Sequence, residues 1–194
     1  MISCTDAETT YVGFGAWEIF ERTFVPAVLI TLFGHMLMVL YKRNKQRIYR
    51  DRMTGFYRRD FYETRLKKLN QFSMLIIDID FFKSINDTFG HKMGDDVISE
   101  VTRRIAKQIR ASDVAVRWGG EEFIILFKDM DETVLREKAE AIRQCVVVEK
   151  IADLNVTISV GGVYLEQGSF AEAYQIADQA LYQSKENGRN QVTI

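Results

Sequence analysis

Residues 118–127 read Trp-Gly-Gly-Glu-Glu-Phe-Ile-Ile-Leu-Phe, two glycines and two carboxylates followed by an unbroken apolar run. No other stretch restricts the fold as strongly. Phe123 to Phe127 form a β-rich run, Ala115-Val-Arg117 precedes the glycines, and the pattern predicts a β-hairpin spanning 115–127. Glu121 and Glu122 then fall at a strand start beside backbone that only glycine leaves so bare. Such a corner admits a phosphate-bearing, metal-chelated ligand; the competing reading is an exposed tip with solvated glutamates.

Upstream, Ser73 to Ile77 is an apolar strand that ends in Asp78-Ile79-Asp80. Strand side chains alternate, so Asp78 and Asp80 are expected on one face. With one or two hairpin glutamates they would form an oxygen-only cluster of the kind Mg²⁺ prefers. Four carboxylates in one place repel one another unless a dication neutralises them. Asp80 as a local backbone cap is the alternative.

A hydrophobic content of 47% and a charged content of 27% mark a globular chain. The net charge of −1 gives no electrostatic case for nucleic-acid binding. Cys4 and Cys145 lie far apart in different contexts, and neither a disulfide framework nor a zinc site follows from them.

Residues 24–41 contain no Asp, Glu, Lys or Arg, with His35 the only ionisable side chain. As a helix they reach roughly 27 Å, just short of a hydrocarbon core. Trp17, Phe20 and Tyr41 suit the interfaces, and Pro26 falls near the start, where a helix tolerates it. A basic run, Lys42 to Arg47, follows, whereas residues 1–23 carry four acids against Arg22. The expectation is a short extracytoplasmic segment (1–23), a transmembrane helix (24–41), a basic juxtamembrane linker helix (42–50) and a cytoplasmic domain (51–194). A buried core helix is the alternative for 24–41. Leu37, Tyr41, Asn44 and Ile48 trace a faint heptad seam pointing to a parallel homodimer.

Within the domain, helices are expected over 58–70, 95–110, 132–147 and 170–186, and strands over 72–79 and 156–164. Val97, Ile98, Val101, Ile105 and Ile109 share one helix stripe; Leu135, Ala139, Ile142 and Val146 share another. The order implies an α+β domain around a mixed sheet.

These pieces stand in a telling order: Asp51-Arg-Met-Thr-Gly-Phe, Asp78-Ile-Asp-Phe-Phe-Lys-Ser-Ile-Asn-Asp, Gly90-His-Lys-Met-Gly-Asp, the hairpin, Thr157-Ile-Ser-Val-Gly, and Ala177 to Asn190. From Arg50 to Ile194 the chain resembles the GGDEF-domain diguanylate cyclases, with the signature in its Gly-Gly-Glu-Glu-Phe form. The resemblance implies a palm-like mixed β-sheet flanked by helices, similar to class III nucleotidyl cyclases. It implies condensation of two GTP into cyclic di-GMP by a homodimer that uses Mg²⁺, with Mn²⁺ as a possible substitute.

By the same resemblance, Asp78, Glu121 and the Ile79 carbonyl would hold the metal, and Glu121 or Glu122 would serve the attacking hydroxyl. Lys83, with the amides around Phe81 and Phe82, would face the triphosphate. Lys185 and Arg189 would grip its outer phosphates from one helix face if the helix persists through Gly188. Asn86 and Asp95 would read guanine, Asp95 being alternatively an N-cap, and His91 would lie beside the nucleotide. Arg110 and Asp113 match the family's R-x-x-D product-inhibition site. Met53, Phe56 and Arg58 depart from the family pattern, at positions expected to affect only packing near the domain entrance.

Overall fold

The computed structural model describes residues 24–61, 72–128 and 130–194, without the side chains of 42–47. The 1–23 segment, most of the 58–70 helix and the basic side chains of 42–47 therefore lie outside the described residues. Two units divide the chain, residues 1–48 and 49–194.

In the first unit, α1 (Val25–Ile48) runs as one helix through the apolar segment and into the linker. Its apolar part, Val25 to Tyr41, is roughly 26 Å long, below a hydrocarbon core of about 30 Å. Among the described residues no helix is long and apolar enough to cross a membrane, so the expected transmembrane helix is not supported.

The second unit holds the strands β1 (Tyr57–Arg58), β2 (Phe72–Ile79), β3 (Val114–Arg117), β4 (Glu122–Phe127), β5 (Ile158–Leu165) and β6 (Val192–Thr193). Its helices are α2 (Phe82–Phe89), α3 (His91–Gln108), α4 (Glu132–Val147) and α5 (Phe170–Glu186). The sheet order is β1-β3-β4-β2-β5-β6, antiparallel at its centre and parallel at both edge pairs, the mixed α+β sheet expected.

β2 is buried along its whole length because both sheet faces are covered. Leu75, Ile77 and Ile79 pack with Val97, Val101 and Ile105 of α3 and with Leu135, Ala139 and Ile142 of α4. Met74 and Ile76 pack with Ala173, Ala177 and Leu181 of α5 on the other side. Each fully buried Leu, Ile or Phe contributes roughly 1.5–3 kcal/mol. Phe56 is buried and sets its ring edge-on to Phe123, so that departure from the family pattern is absorbed by packing.

α4, α5 and β2 begin and end where the sequence placed them. α3 starts earlier than expected, at His91, and stops at Gln108, leaving Ile109 in extended backbone. α2 and the two-residue edge strands were not expected; they are too short for a periodic pattern to reveal.

One contact sets the distance between α5 and the sheet. A Cβ on Gly161 of β5 would lie 2.2 Å from the Ala177 carbonyl oxygen and 2.2 Å from the Leu181 nitrogen, both backbone atoms. Around Gly120 a Cβ would meet nothing within 4 Å. Gly161→Ala is expected to destabilise the full chain by about 2–3 kcal/mol, lowering Tm by roughly 5–10 °C, while Gly120→Ala shifts it by less than about 3 °C. Thermal unfolding followed by circular dichroism checks both; equal shifts would refute this account of the helix–sheet spacing.

Candidate active site

The antiparallel register sets Glu122 directly opposite Asp78, and the Ile79 amide donates to the Glu121 carbonyl at 3.4 Å. Opposed residues in an antiparallel pair share a face, so Asp78 and Glu122 belong to the α5 side of the sheet. Glu121 sits one position before β4, in the turn. Lys185, in the last turn of α5, reaches Asp78 Oδ1 with its Nζ at 2.9 Å. Burial raises the Asp78 pKa, the hydrogen bond and charge of Lys185 oppose the rise, and the charges of Glu121 and Glu122 add to it. The three carboxylates therefore share one electrostatic neighbourhood, with Lys185 as its counter-charge.

The glycine turn is held from behind. Trp118 N donates to the Glu122 carbonyl at 2.8 Å. A Cβ on Gly119 would come within 2.9 Å of Glu122 Oε2, so glycine there lets the Glu122 side chain fold back over the turn. Arg117 donates through Nε and Nη2 to the Gly120 carbonyl, at 3.2 and 2.8 Å. Its Nη1 lies 3.3 Å from both oxygens of Asp51. Burial opposes ionisation of Asp51, but hydrogen bonds from Thr54 and the Arg117 charge outweigh it and lower its pKa.

Phe81 adopts a left-handed conformation, φ 57°, as the N-cap residue of α2, and the residue is 64% exposed. Phe82 turns inward to the core, leaving only its backbone for a ligand. Lys83 is exposed in the first turn of α2. Asn86 and the first turns of α3 are brought together by Gly94, where a Cβ would lie 2.0 Å from Asn86 Oδ1. His91 opens α3, and Asp95 is exposed one turn later. Since α3 begins at His91, Asp95 is not an N-cap and its carboxylate has no capping duty.

Lys185 and Arg189 do not share a helix face. α5 ends at Glu186, Gly188 has φ 107°, and Arg189 N bonds back to the Ser184 carbonyl at 3.0 Å, a Schellman closure. Arg189 instead stacks its guanidinium 4.6 Å above the Phe81 ring. The two cations thus approach the end of β2 from separate backbone segments.

Asp80 departs from the expected carboxylate cluster. It is 4% exposed and accepts from Ser159 Oγ at 2.6 Å, Thr157 Oγ1 at 2.6 Å and Asn190 N at 3.1 Å. Ser159 is paired with Asp78 and Thr157 shares its face, so alternation places Asp80 on the expected side of the sheet; there its carboxylate meets two hydroxyls and an amide. The sequence signal for its partners was present in Thr157-Ile-Ser159, but the third partner is a backbone amide that no side-chain pattern betrays. Among the described residues, no three His, Cys, Asp or Glu side chains form a ready metal-holding group.

Away from this site, Arg110 and Asp113 close a tight turn. Arg110 N donates to Asp113 Oδ2 at 2.7 Å, and Asp113 N donates to the Arg110 carbonyl at 3.0 Å. The turn borders a cavity of about 480 Å³ that Arg50, Tyr57 and Phe61 also line.

Comparison with known proteins agrees with this architecture. The family model "Diguanylate cyclase, GGDEF domain" matches residues 48–191. The probable diguanylate cyclase DgcT of Escherichia coli (strain K12) is 36% identical over 183 residues, 86% of this chain and 40% of that protein. The chain thus spans about two fifths of that relative's length. The coiled coil and GGDEF domain of DgcB from Caulobacter crescentus, solved in complex with c-di-GMP, superposes with a TM-score of 0.73 at 28% identity, covering 87% of this chain and 97% of that one. The active GGEEF domain of a diguanylate cyclase from Vibrio cholerae superposes with a TM-score of 0.63 at 33% identity, covering 72% and 96%. With the family model covering most of the sequence and a site assembled from the same segments, the chain belongs to the GGDEF-domain diguanylate cyclase family.

Proposed function

We propose that this chain is a diguanylate cyclase that joins two GTP into cyclic di-GMP, releasing two pyrophosphates, and that it works as a homodimer. The carrying observation is the convergence of Asp78, Glu121, Glu122 and Lys185 at one end of the sheet. Each 3′-oxygen forms a bond to the α-phosphorus of the other nucleotide, the bond from that phosphorus to the β-bridging oxygen breaks, and pyrophosphate leaves. Each subunit presents one GTP, so a single subunit cannot close the ring.

The donor set fits a hard dication. A partly buried carboxylate crowded by two glutamates asks for positive charge, and its present partner is an ammonium. Asp78, Glu121 and the Ile79 carbonyl would hold Mg²⁺, or Mn²⁺ in its place, and that ion supplies neutralisation at the phosphates when bound. Glu121 accepts the proton of the 3′-hydroxyl, with Glu122 the alternative. Lys83 and the amides around Phe81 and Phe82 face the triphosphate. Lys185 exchanges Asp78 for the outer phosphates, and Arg189 approaches them from above Phe81. Asn86 and Asp95 read guanine: a carboxylate accepts from the N1–H and the 2-amino group, a donor pair adenine lacks. His91 stands beside the base. Open space around Gly120 suits the approach of the nucleotide.

Arg110 and Asp113 are proposed to bind the product and inhibit turnover, Arg110 making paired hydrogen bonds to a guanine edge. The DgcB structure carries c-di-GMP, which supports this ligand class.

The anchor also remains a proposal. Leu29, Ile30, Leu32 and Phe33 of α1 are each more than half exposed, a broad apolar surface that water disfavours. Together with the charge asymmetry of residues 1–52, this supports attachment to a bacterial inner membrane with the catalytic domain in the cytoplasm.

With the full chain, GTP and Mg²⁺, chromatography is expected to resolve a cyclic dinucleotide. Glu121→Gln and Asp78→Asn are each expected to lower kcat at least about 100-fold with an unchanged circular dichroism spectrum. No dinucleotide from a demonstrably dimeric sample would favour a nucleotide-binding receptor instead. Arg110→Ala is expected to raise the product inhibition constant by roughly 5- to 100-fold while the initial rate stays within about twofold; an unchanged constant removes the feedback assignment. After alkaline carbonate washing of membranes the full chain should stay with the pellet, and release into the supernatant would remove the anchor.

A further inference from the structure

Asp80 is buried beside the reaction site yet serves no nucleotide-facing role in the scheme above. Its Oδ1 accepts from Ser159 Oγ of β5, and its Oδ2 accepts from Thr157 Oγ1 and Asn190 N. Its own amide donates to the Thr157 carbonyl at 3.0 Å. The carboxylate therefore ties the end of β2 to the start of β5 and to the turn that follows α5.

That turn is unusual backbone. Gly188, Arg189 and Asn190 have φ values of 107°, 64° and 47° in succession. Left-handed residues with a Cβ are disfavoured and persist only where neighbours over-determine them. Phe81, immediately after Asp80, is left-handed too, at φ 57°. Asp80 joins these two segments, and the Arg189 guanidinium lies over the Phe81 ring, linking them a second time. Asn190 is also held from α4, where Arg143 Nη1 donates to Asn190 Oδ1 and Glu140 braces Arg143.

We propose that Asp80 is a positioning residue for nucleotide binding: by holding the Asn190 amide it fixes the 188–190 turn and with it Arg189 above Phe81, and it is not a metal ligand. This rests on the reading that Arg189 contacts the triphosphate. Both oxygens of Asp80 are occupied by donors, and turning either toward a cation would release a hydroxyl or the turn.

The test is a double-mutant cycle on the full chain, reading GTP affinity by calorimetry in EDTA, where no metal contributes. Asp80→Asn keeps the side-chain volume and removes acceptor capacity. Asp80→Asn and Arg189→Ala are each expected to weaken metal-free GTP binding about tenfold, and the double variant no more than about twofold beyond the weaker-binding single. Amide exchange of Asn190 should accelerate at least about tenfold in Asp80→Asn, while that of Val160 stays within about twofold. Thr157→Val, which removes one hydroxyl partner and no nucleotide contact, should give a smaller loss in the same two readouts. Fully additive losses, or unchanged Asn190 exchange, overturn the positioning role. So does a drop in Mg²⁺ affinity with metal-free GTP binding intact, which would make Asp80 a ligand. If Arg189→Ala alone leaves GTP affinity unchanged while Asp80→Asn frees the Asn190 amide, the anchor stands but its nucleotide role falls with the Arg189 assignment; the carboxylate chemistry at Asp78 and Glu121 is untouched by that result.

Discussion

A carboxylate at the end of a strand buried on both faces is the constraint around which this domain is arranged. Asp78 sits where β2 emerges from the core, flanked by β4 and β5, and burial alone would drive it toward the protonated form. Two glutamates opposite make ionisation harder still, and Lys185 answers them. The Lys185 side chain is 30% exposed and that of Asp78 12%, so the pair is screened on the outer side and is worth less than a fully buried one. A contact that is close but partly screened can be exchanged. A lysine locked in the core could not leave Asp78 when a stronger cation or a phosphate competes.

Lys185 can reach Asp78 only because α5 lies very near the sheet. Gly161 removes the side chain that would otherwise separate β5 from the Ala177 and Leu181 backbone, and small residues on α5, Ala173 and Ala177, continue the approach. Packing therefore sets electrostatics: a methyl group added on one strand acts on an ion pair a full turn away at the helix end. The Schellman closure after Glu186 then redirects the chain, so that Arg189 arrives from a different direction than Lys185. Two cations from two segments can surround a ligand, which two cations on one helix face cannot do as completely.

Long apolar patterns carried most of the fold into the sequence. The stripes on α3 and α4 and the apolar run of β2 each fill a core face, and apart from Ile109, beyond the end of α3 and only partly buried, their residues are buried where periodicity placed them. α2 and the edge strands β1 and β6 escaped because two to eight residues hold too little periodicity to separate from noise. At the site, Asp78 and the glutamates were legible as carboxylates at strand ends. Alternation set Asp80 on the face of Asp78, as found, but it could not show that Thr157, Ser159 and the Asn190 amide engage its carboxylate. Helical spacing puts Arg189 on the face of Lys185 only if the helix persists, and a positive φ at Gly188 ends that condition. That departure falls three residues past the end of α5, where local geometry overrides periodicity.

Rigidity and exposure are divided between the two charges of the site. The acidic groups lie on or beside the central strands, and the Gly-Gly turn that presents Glu121 is clamped by Arg117, which spends Nε and Nη2 on the Gly120 carbonyl. Its remaining nitrogen goes to Asp51, itself fixed by the Thr54 amide and hydroxyl at 2.9 and 2.8 Å. The hairpin is therefore tied to the first turn of the domain through a planar guanidinium that lysine could not replace. Of the basic groups, Lys185 pairs with Asp78 from the last turn of α5, Arg189 stacks on Phe81 from a left-handed turn, and Lys83 is exposed on the short α2. The proposed reaction binds one polyanion and expels another, and it calls for fixed acceptors for the reacting oxygens and adjustable donors for the leaving phosphates. Strands would supply the first, and turns with the end of α5 the second, while Asp80 stands at the boundary, a strand-end carboxylate that accepts from the amide of a turn.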